Sequence, residues 1–307
     1  MIGLFEFIRS LKMPVASVII PTFGEARFSR WAIGSVRGQT VKNIEIFIIC
    51  DGSPPGMVEF FEDIAKKDHR INVLSFEKSE RTGEPYRDIV IRKEARGKNI
   101  FYCSHDDIWL PHHVEELERL LRRKVFVHSI HASVSAKERP DHEEAILENV
   151  LYADIGQPSF RERMLNASAK ENFFGLTYAA HTKRAYLELE EGWATTPPGI
   201  WTDLHMWRKF LRKFPSDCAT YKKITALNFP VYARKGWLEQ EREAELEYYC
   251  QKIRYHGFAQ ELNRIANLAN PLTRPFLRRA CPPVRAGIIK VIIRMVRSAS
   301  VKRRSKV

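Results

Sequence analysis

Two carboxylates stand side by side in "FYCSHDDIWLP", residues 101–111, where an apolar run gives way to Asp106 and Asp107. Adjacent carboxylates repel each other, so the pair calls for either helix N-terminal amides or a cation to offset it. Two more acids follow apolar runs: Glu25 in "PTFGEAR" (21–27) and Asp51 in "IICDGS" (48–53). A fifth, Asp203, opens an amphipathic stretch in "WTDLHMW" (201–207). Hard carboxylate oxygens bind Mg2+ or Mn2+, and such a cation bridges the oxygens of a diphosphate. Neither GxxxxGK[ST] nor GxGxxG occurs, so a phosphate would not rest on a glycine-rich helix cradle. Asp106 would be the cation's ligand, with Asp107 as its partner, and Asp51 suits acceptance of a ring N–H from a base. The plainer reading makes Asp106-Asp107 and Asp203 helix caps.

The elements that must position these residues alternate. Short β-branched runs at 15–23, 43–53, 71–77 and 99–107 read as buried strands. Helical spacing fills 29–39, 55–70, 86–97 and 112–124, with Gly97 as the stop of the third. Strand–helix alternation implies a parallel sheet with right-handed crossovers, and in such sheets ligands collect beyond the carboxyl ends of the strands. Pro21–Glu25, Asp51–Ser53 and Asp106-Asp107 fall at those ends. Further on, 125–134 reads as one strand, 136–172 is polar without a clear period, and 173–193 reads as a strand then a helix. Residues 201–214 form a helix capped by Thr202 or Asp203, and 231–265 are helical and polar.

At 307 residues and 44% hydrophobic the chain can bury a substantial core. It has no run of about 18 apolar residues to span a bilayer, and its start, "MIGLFEFIRSLKMP", lacks the pattern of a secretory leader. Five scattered cysteines without CxxC fit a reducing compartment. The net charge of +13 sits almost wholly in the last stretch: Leu262–Val307 has 12 Lys/Arg and no Asp/Glu. There "RAGIIKVIIRMVRSASVKRRSKV" (285–307) sets apolar residues at helical intervals among cations. It reads as a helix lying on an anionic membrane surface, or else as a solvated terminus; no module for reading nucleic acid accompanies the charge.

These segments resemble the family 2 glycosyltransferases with the GT-A fold. "SVIIPTF" (17–23) is similar to that family's opening strand, with Phe23-Gly24 where Tyr-Asn is usual. "SVRGQTVKNIEIFIICDGS" (35–53) is similar to the segment that ends in its Asp-Gly-Ser. "GEPYRDIVIRKEARGKNIFYCSHDDIWLP" (83–111) matches the helix and strand leading to its Asp-x-Asp motif, with Ser104 in place of the first Asp. "HTKRAYLELEEGW" (181–193) and "TDLHMW" (202–207) match its acceptor-side helix and catalytic-base motif, with Thr202 where an acid usually precedes the base.

The resemblance implies an α/β GT-A fold with a mostly parallel central sheet flanked by helices, and a helical, basic C-terminal extension. Residues 1–14 would be a short amphipathic segment, 15–125 the nucleotide-sugar half, 126–230 the acceptor half and 231–307 the extension. Pro21, Thr22, Phe23 and Glu25 would line the nucleotide pocket, Asp51 would hold the base, and Ser53 would assist. Arg81 or Arg87 would approach the nucleotide or its phosphates. Asp106, with Asp107, would hold Mn2+ or Mg2+, and Asp203 would be the general base. The implied reaction is inverting transfer from a nucleoside-diphosphate sugar, UDP-linked by preference, to a hydroxyl of a glycan or glycolipid. Its expected setting is cell-surface polysaccharide assembly on the inner face of the plasma membrane, with 271–307 as the anchor. Two rivals stay open: a nucleotidyltransferase, and a non-catalytic nucleotide-sugar- or membrane-binding module with a decayed site, to which Ser104 points.

Overall fold

The computed structural model describes residues 13–24, 26–136, 146–166, 168, 171–270 and 288–292. Glu25, residues 1–12 and most of the basic tail lie outside them. The first strand, β1 (Ala16–Thr22), is β-branched and almost wholly buried, as a central strand covered on both faces must be. It pairs in parallel with β2 (Ile44–Asp51), Val18 opposite Ile46, and with β4 (Asn99–Tyr102), Val18 opposite Phe101. β2 is buried at every position and pairs in turn with β3 (Ile71–Phe76). Between them run α1 (Ser29–Arg37), which buries Ala32, Ile33 and Val36 on one face, and α2 (Pro55–Ala65), opened by a proline. After β3 comes α3 (Glu84–Ile89), continued by a π turn over Val90–Glu94.

That helix ends before Gly97, which has a different duty from the expected helix stop. Its backbone lies against β1: a Cβ there would stand 2.4 Å from the Ser17 amide nitrogen. The Gly97 amide donates to Ser17 Oγ at 2.9 Å and to the buried Glu45 Oε1 at 3.0 Å. Only a residue without a side chain permits this approach.

Past β5 (Ile108–Trp109) and α4 (His113–Leu121) the chain departs further from the expected pattern. Residues 125–134 are not one strand. β6 (Phe126–Ser129) and β7 (His131–Val134) belong to different sheets, and the break falls at the buried Ile130. The polar stretch contains β8 (Ile146–Leu151) and α5 (Pro158–Leu165). β9 (Ala179–Thr182) then lies antiparallel between β4 and β6, followed by α6 (Lys183–Leu187) and α7 (Thr202–Lys213). With β10 (Cys218–Tyr221) parallel to β6, the main sheet reads β10-β6-β9-β4-β1-β2-β3.

β11 (Ala226–Leu227) pairs with β5, while α8 (Glu239–Lys252) and α9 (His256–Ala269) carry a second apolar cluster with Ile130, Val134 and Phe229. β12 (Ile288–Ile292) pairs with β8. The tail was expected to be helical here; "IIKVI" is instead a strand, in keeping with its β-branched content. Among the described residues no helix is long and apolar enough to cross a membrane.

Candidate functional site

Asp51 closes β2 and is 2% exposed. The parallel register sets it opposite Phe76, so the residues that follow β3 fall against its carboxylate. Oδ1 accepts from the Ser79 amide at 2.6 Å; Oδ2 accepts from Lys78 Nζ at 2.8 Å and Ser79 Oγ at 3.0 Å. Gly52 makes this possible, with φ +71° and a would-be Cβ only 2.7 Å from that of Lys78. Lys78 Nζ also lies 5.0 Å from the ring centre of Phe23, which is 59% exposed. Both Asp51 oxygens thus have protein partners, and a base N–H would have to take the place of Lys78 or Ser79 or share the lone pair that is left. Thr22 is turned into the sheet, donating to Ile49 O at 3.3 Å, whereas Pro21 and Ser53 are half-buried.

The two arginines named from the sequence do different things. Arg81 Nη1 donates to the carbonyls of Thr196 and Pro197, the latter at 2.9 Å, and ties the loop after β3 to the one before α7. Arg87 is 5% exposed, donates to Thr82 O at 2.5 Å and stacks on Trp193 with 4.8 Å to the ring centre. Burial pulls its guanidinium down, opposed by Glu84, Tyr102, Asp203 and Asp51, so its charge acts on both the strand-end acid and the α7 acid.

The adjacent carboxylates prove unequal. Asp107 is 2% exposed, and its oxygens accept from Thr177 Oγ1, from Asn228 Nδ2 at 2.9 Å and from the Phe229 amide at 3.1 Å. Burial first, and the neighbouring Asp106 second, push it up to about 7. α4 begins at His113 with His112 in the cap position, so neither aspartate caps it. Asp107 fastens the segment around Phe229 to the end of β4, which gives both oxygens protein partners and leaves little room for a cation.

Asp106 is half-buried and has no hydrogen bond or ion pair among the described residues. With His105 it lines a cavity of ≈ 760 Å³, shared with Ala26–Phe28 and residues between 231 and 242. Ser104 donates its amide to Thr177 Oγ1 at 3.0 Å, the hydroxyl that also holds Asp107. Among the described residues no group of three or more His, Cys, Asp or Glu gathers as a closed metal cage. A Mg2+-type ion bound through one or two carboxylates and substrate oxygens needs no such cage, and Asp106 fits that role.

Asp203 stands in the first turn of α7. Trp201 holds the cap position and no side chain caps the helix, so Thr202 and Asp203 are not caps. Asp203 Oδ1 accepts from the next amide, Leu204 N, at 2.9 Å. Burial pushes the acid up to about 6, against the pull of backbone amides, Asn172 and Arg87. Thr202 Oγ1 lies 3.5 Å from Oε1 of the fully buried Glu84, which also accepts from Thr196 N at 3.3 Å. Lys78, Ser79, Thr177 and Glu84 are the partners that sequence reading missed. Only the position of Lys78-Ser79, just past a strand end, could have singled out any of them.

Comparison with known proteins bears on the family and the fold. The family model described as glycosyl transferase family 2 matches residues 17–188, more than half of the chain. Uncharacterized glycosyltransferase EpsJ of Bacillus subtilis (strain 168) is 34% identical over 95 residues, covering 31% of this chain and 27% of that protein. Uncharacterized glycosyltransferase RP339 of Rickettsia prowazekii (strain Madrid E) is 30% identical over 115 residues, covering 38% and 34%. The matched stretch thus spans about a third or less of these relatives' own length. Among solved structures, TarS 1-349 from S. aureus in complex with UDP-GlcNAc superposes with a TM-score of 0.52 at 12% identity, covering 87% of this chain and 76% of that one. At that identity the likeness shows a shared fold, the mostly parallel GT-A sheet with its flanking helices.

Proposed function

Because this chain belongs to glycosyl transferase family 2, we propose that it transfers a sugar, with inversion, from a nucleoside-diphosphate sugar to a hydroxyl of a glycan or glycolipid. The observation that carries this reading is Asp203, a carboxylate pushed up to about 6 at the start of α7 and oriented by Leu204 N. A base with that affinity holds a proton well enough to assist attack, yet is ionised at neutral pH. Asp203 takes the acceptor hydroxyl's proton as that oxygen bonds to the anomeric carbon. The bond from that carbon to the diphosphate breaks with its electron pair leaving on the diphosphate. One carboxylate on this face suffices for inversion, since the leaving group is already good.

Asp51, with Phe23 and Lys78, would form the wall that receives the base, and the buried charge of Arg87, held by Thr82 O and Trp193, acts on Asp51. A divalent cation held by Asp106 would supply charge to the departing diphosphate. The UDP-GlcNAc complex of TarS supports a UDP-linked donor. Isothermal titration of the full chain with UDP, with and without Mn2+, tests this reading. Expected is UDP binding that Mn2+ strengthens, accompanied by slow hydrolysis of at least one UDP-sugar; absence of nucleotide binding under both conditions would falsify it.

We place the work of this enzyme in cell-surface polysaccharide assembly, at a membrane that the basic tail meets. The cations beyond β12, from Arg294 to Lys306, would each contribute about 1 kcal/mol near an anionic surface. Deleting 293–307 spares β12 and its pairing with β8. The deletion is expected to release the protein from phosphatidylserine-containing vesicles in a sedimentation assay; unchanged co-sedimentation would remove the tail from that role.

A further inference from the structure

Glu84, the first residue of α3, is fully buried, and its carboxylate gathers separate stretches of the chain. Oε2 accepts from the Thr82 amide at 2.8 Å, in the loop after β3. Oε1 accepts from the Thr196 amide at 3.3 Å, in the loop before α7, and lies 3.5 Å from Thr202 Oγ1 where α7 begins. The Thr82 hydroxyl is 3.5 Å from the same Thr202 oxygen. The loop after β3 also reaches the strand-end acid: the Gly83 amide donates to Ser79 Oγ at 2.8 Å, and that hydroxyl donates to Asp51 Oδ2 at 3.0 Å. Contacts thus run from Asp51 through Ser79, Gly83 and Glu84 to Thr202, the neighbour of Asp203.

A buried acid is costly unless it is paired and hydrogen-bonded. Burial works against the charge of Glu84, but the amides at 84 and 82 and the charge of Arg87 outweigh it and hold the carboxyl below the usual carboxylate range. Arg87 follows one turn later on the same helix. Among the groups acting on that guanidinium Glu84 comes first, then Tyr102 of β4, Asp203 of α7 and Asp51 of β2. Arg87 is in turn the charged group that acts on Asp203. Without Glu84 its field would fall unopposed on both site acids. We propose that Glu84 is a positioning residue: it fixes the start of α7, and with it Asp203, against the loop that holds Asp51, and it takes up the charge of Arg87 between them. The inference rests on the reading of Asp203 as the base.

Glu84→Gln keeps the size and an acceptor oxygen and removes the charge. The full chain is followed by UDP-GlcNAc hydrolysis as a function of pH. Carbon NMR of aspartate-labelled protein, assigned with Asp203→Asn, reads the Asp203 carboxyl directly. Displacing a reacting group by about 1 Å costs on the order of 10²-fold, so kcat is expected to fall at least about tenfold with UDP affinity unchanged. The Asp203 midpoint should move about one pH unit lower, since the unopposed guanidinium favours the ionised acid. Glu84→Asp keeps the charge and should bring the midpoint back. Thr202→Val removes the hydroxyl alone, and kcat should fall while the midpoint stays. A Glu84→Gln protein that unfolds more easily but keeps the parent's kcat and midpoint overturns the proposal, because Glu84 then only holds the fold together. If Glu84→Gln does not fold, Thr202→Val decides, and an unchanged kcat overturns it. A parent that hydrolyses no UDP-GlcNAc, with a midpoint that still moves in Glu84→Gln, leaves the coupling standing and counts against the glycosyl-transfer reading alone.

Discussion

Asp203→Asn is expected to lower sugar transfer by roughly 10²–10⁴-fold while leaving UDP affinity within about twofold, because general-base assistance is worth about that factor. The amide keeps an oxygen for Leu204 N, so the start of α7 stays as it is. What it loses is the ability to take a proton. If Asp203 is the base, the active form of the parent is the ionised one, and burial has pushed that acid up to about 6. Turnover is therefore full well above pH 6 and falls about tenfold per unit below it. The variant's residual rate should lack this acidic limb. Stability runs the other way. A carboxyl whose folded value lies above its ordinary 3.8 binds its proton more tightly in the native state. It costs stability as pH rises from about 4 through about 6. At pH 8 the variant should unfold at the same temperature as the parent or a higher one. Retained turnover, or an acidic limb that persists unchanged, would take Asp203 out of the role of base.

Much of the scaffold is legible in the sequence because the central strands are buried on both faces. Runs such as "ASVIIPT" and "IEIFIICD" carry few alternatives, and because β2 and β4 both run parallel to β1, Asp51 at the end of β2 and Asp106 beyond the end of β4 fall at the same edge of the sheet. Three things escape such a reading. The first is where a strand changes sheet: apolar residues mixed with His and Ser run from 125 to 134 with no Gly or Pro among them, so nothing local separates β6 from β7. The second is a partner distant in sequence. "IIKVI" lies in a stretch with apolar residues at helical intervals among cations, and its β-branched residues become a strand by pairing with β8, more than a hundred residues earlier. The third is occupancy. Sequence places Asp51 at a strand end but not Lys78 and Ser79 against it, and it names Arg81 and Arg87 together although one ties loops and the other is a buried brace. Gly97 belongs with these. Its position after a helix suggests a stop, while its contact with Ser17 is what excludes a side chain.

The same distinction separates the adjacent aspartates, and opposite outcomes are expected when each is removed. Asp107→Ala strips three buried donors, Thr177 Oγ1, Asn228 Nδ2 and Phe229 N, of their acceptor. Unmade buried hydrogen bonds cost about 1–3 kcal/mol apiece at most, and neighbouring losses overlap, so destabilisation on the order of 3 kcal/mol is expected by urea unfolding. Asp106→Ala removes no partner among the described residues. It removes instead the second cause that pushes Asp107 up to about 7. With that repulsion gone, Asp107 ionises at lower pH, and a lowered folded value adds stability at neutral pH. Asp106→Ala should therefore lose far less stability than Asp107→Ala, the relief at Asp107 being set against the loss of Asp106's attraction for the buried Arg242. Its UDP binding should nevertheless become insensitive to Mn2+, because the cation has lost its carboxylate. An Asp106→Ala protein whose UDP affinity still rises with Mn2+ would move the cation elsewhere. If Asp107→Ala were as stable as the parent and bound UDP without regard to Mn2+, the roles of the two acids would have to be exchanged.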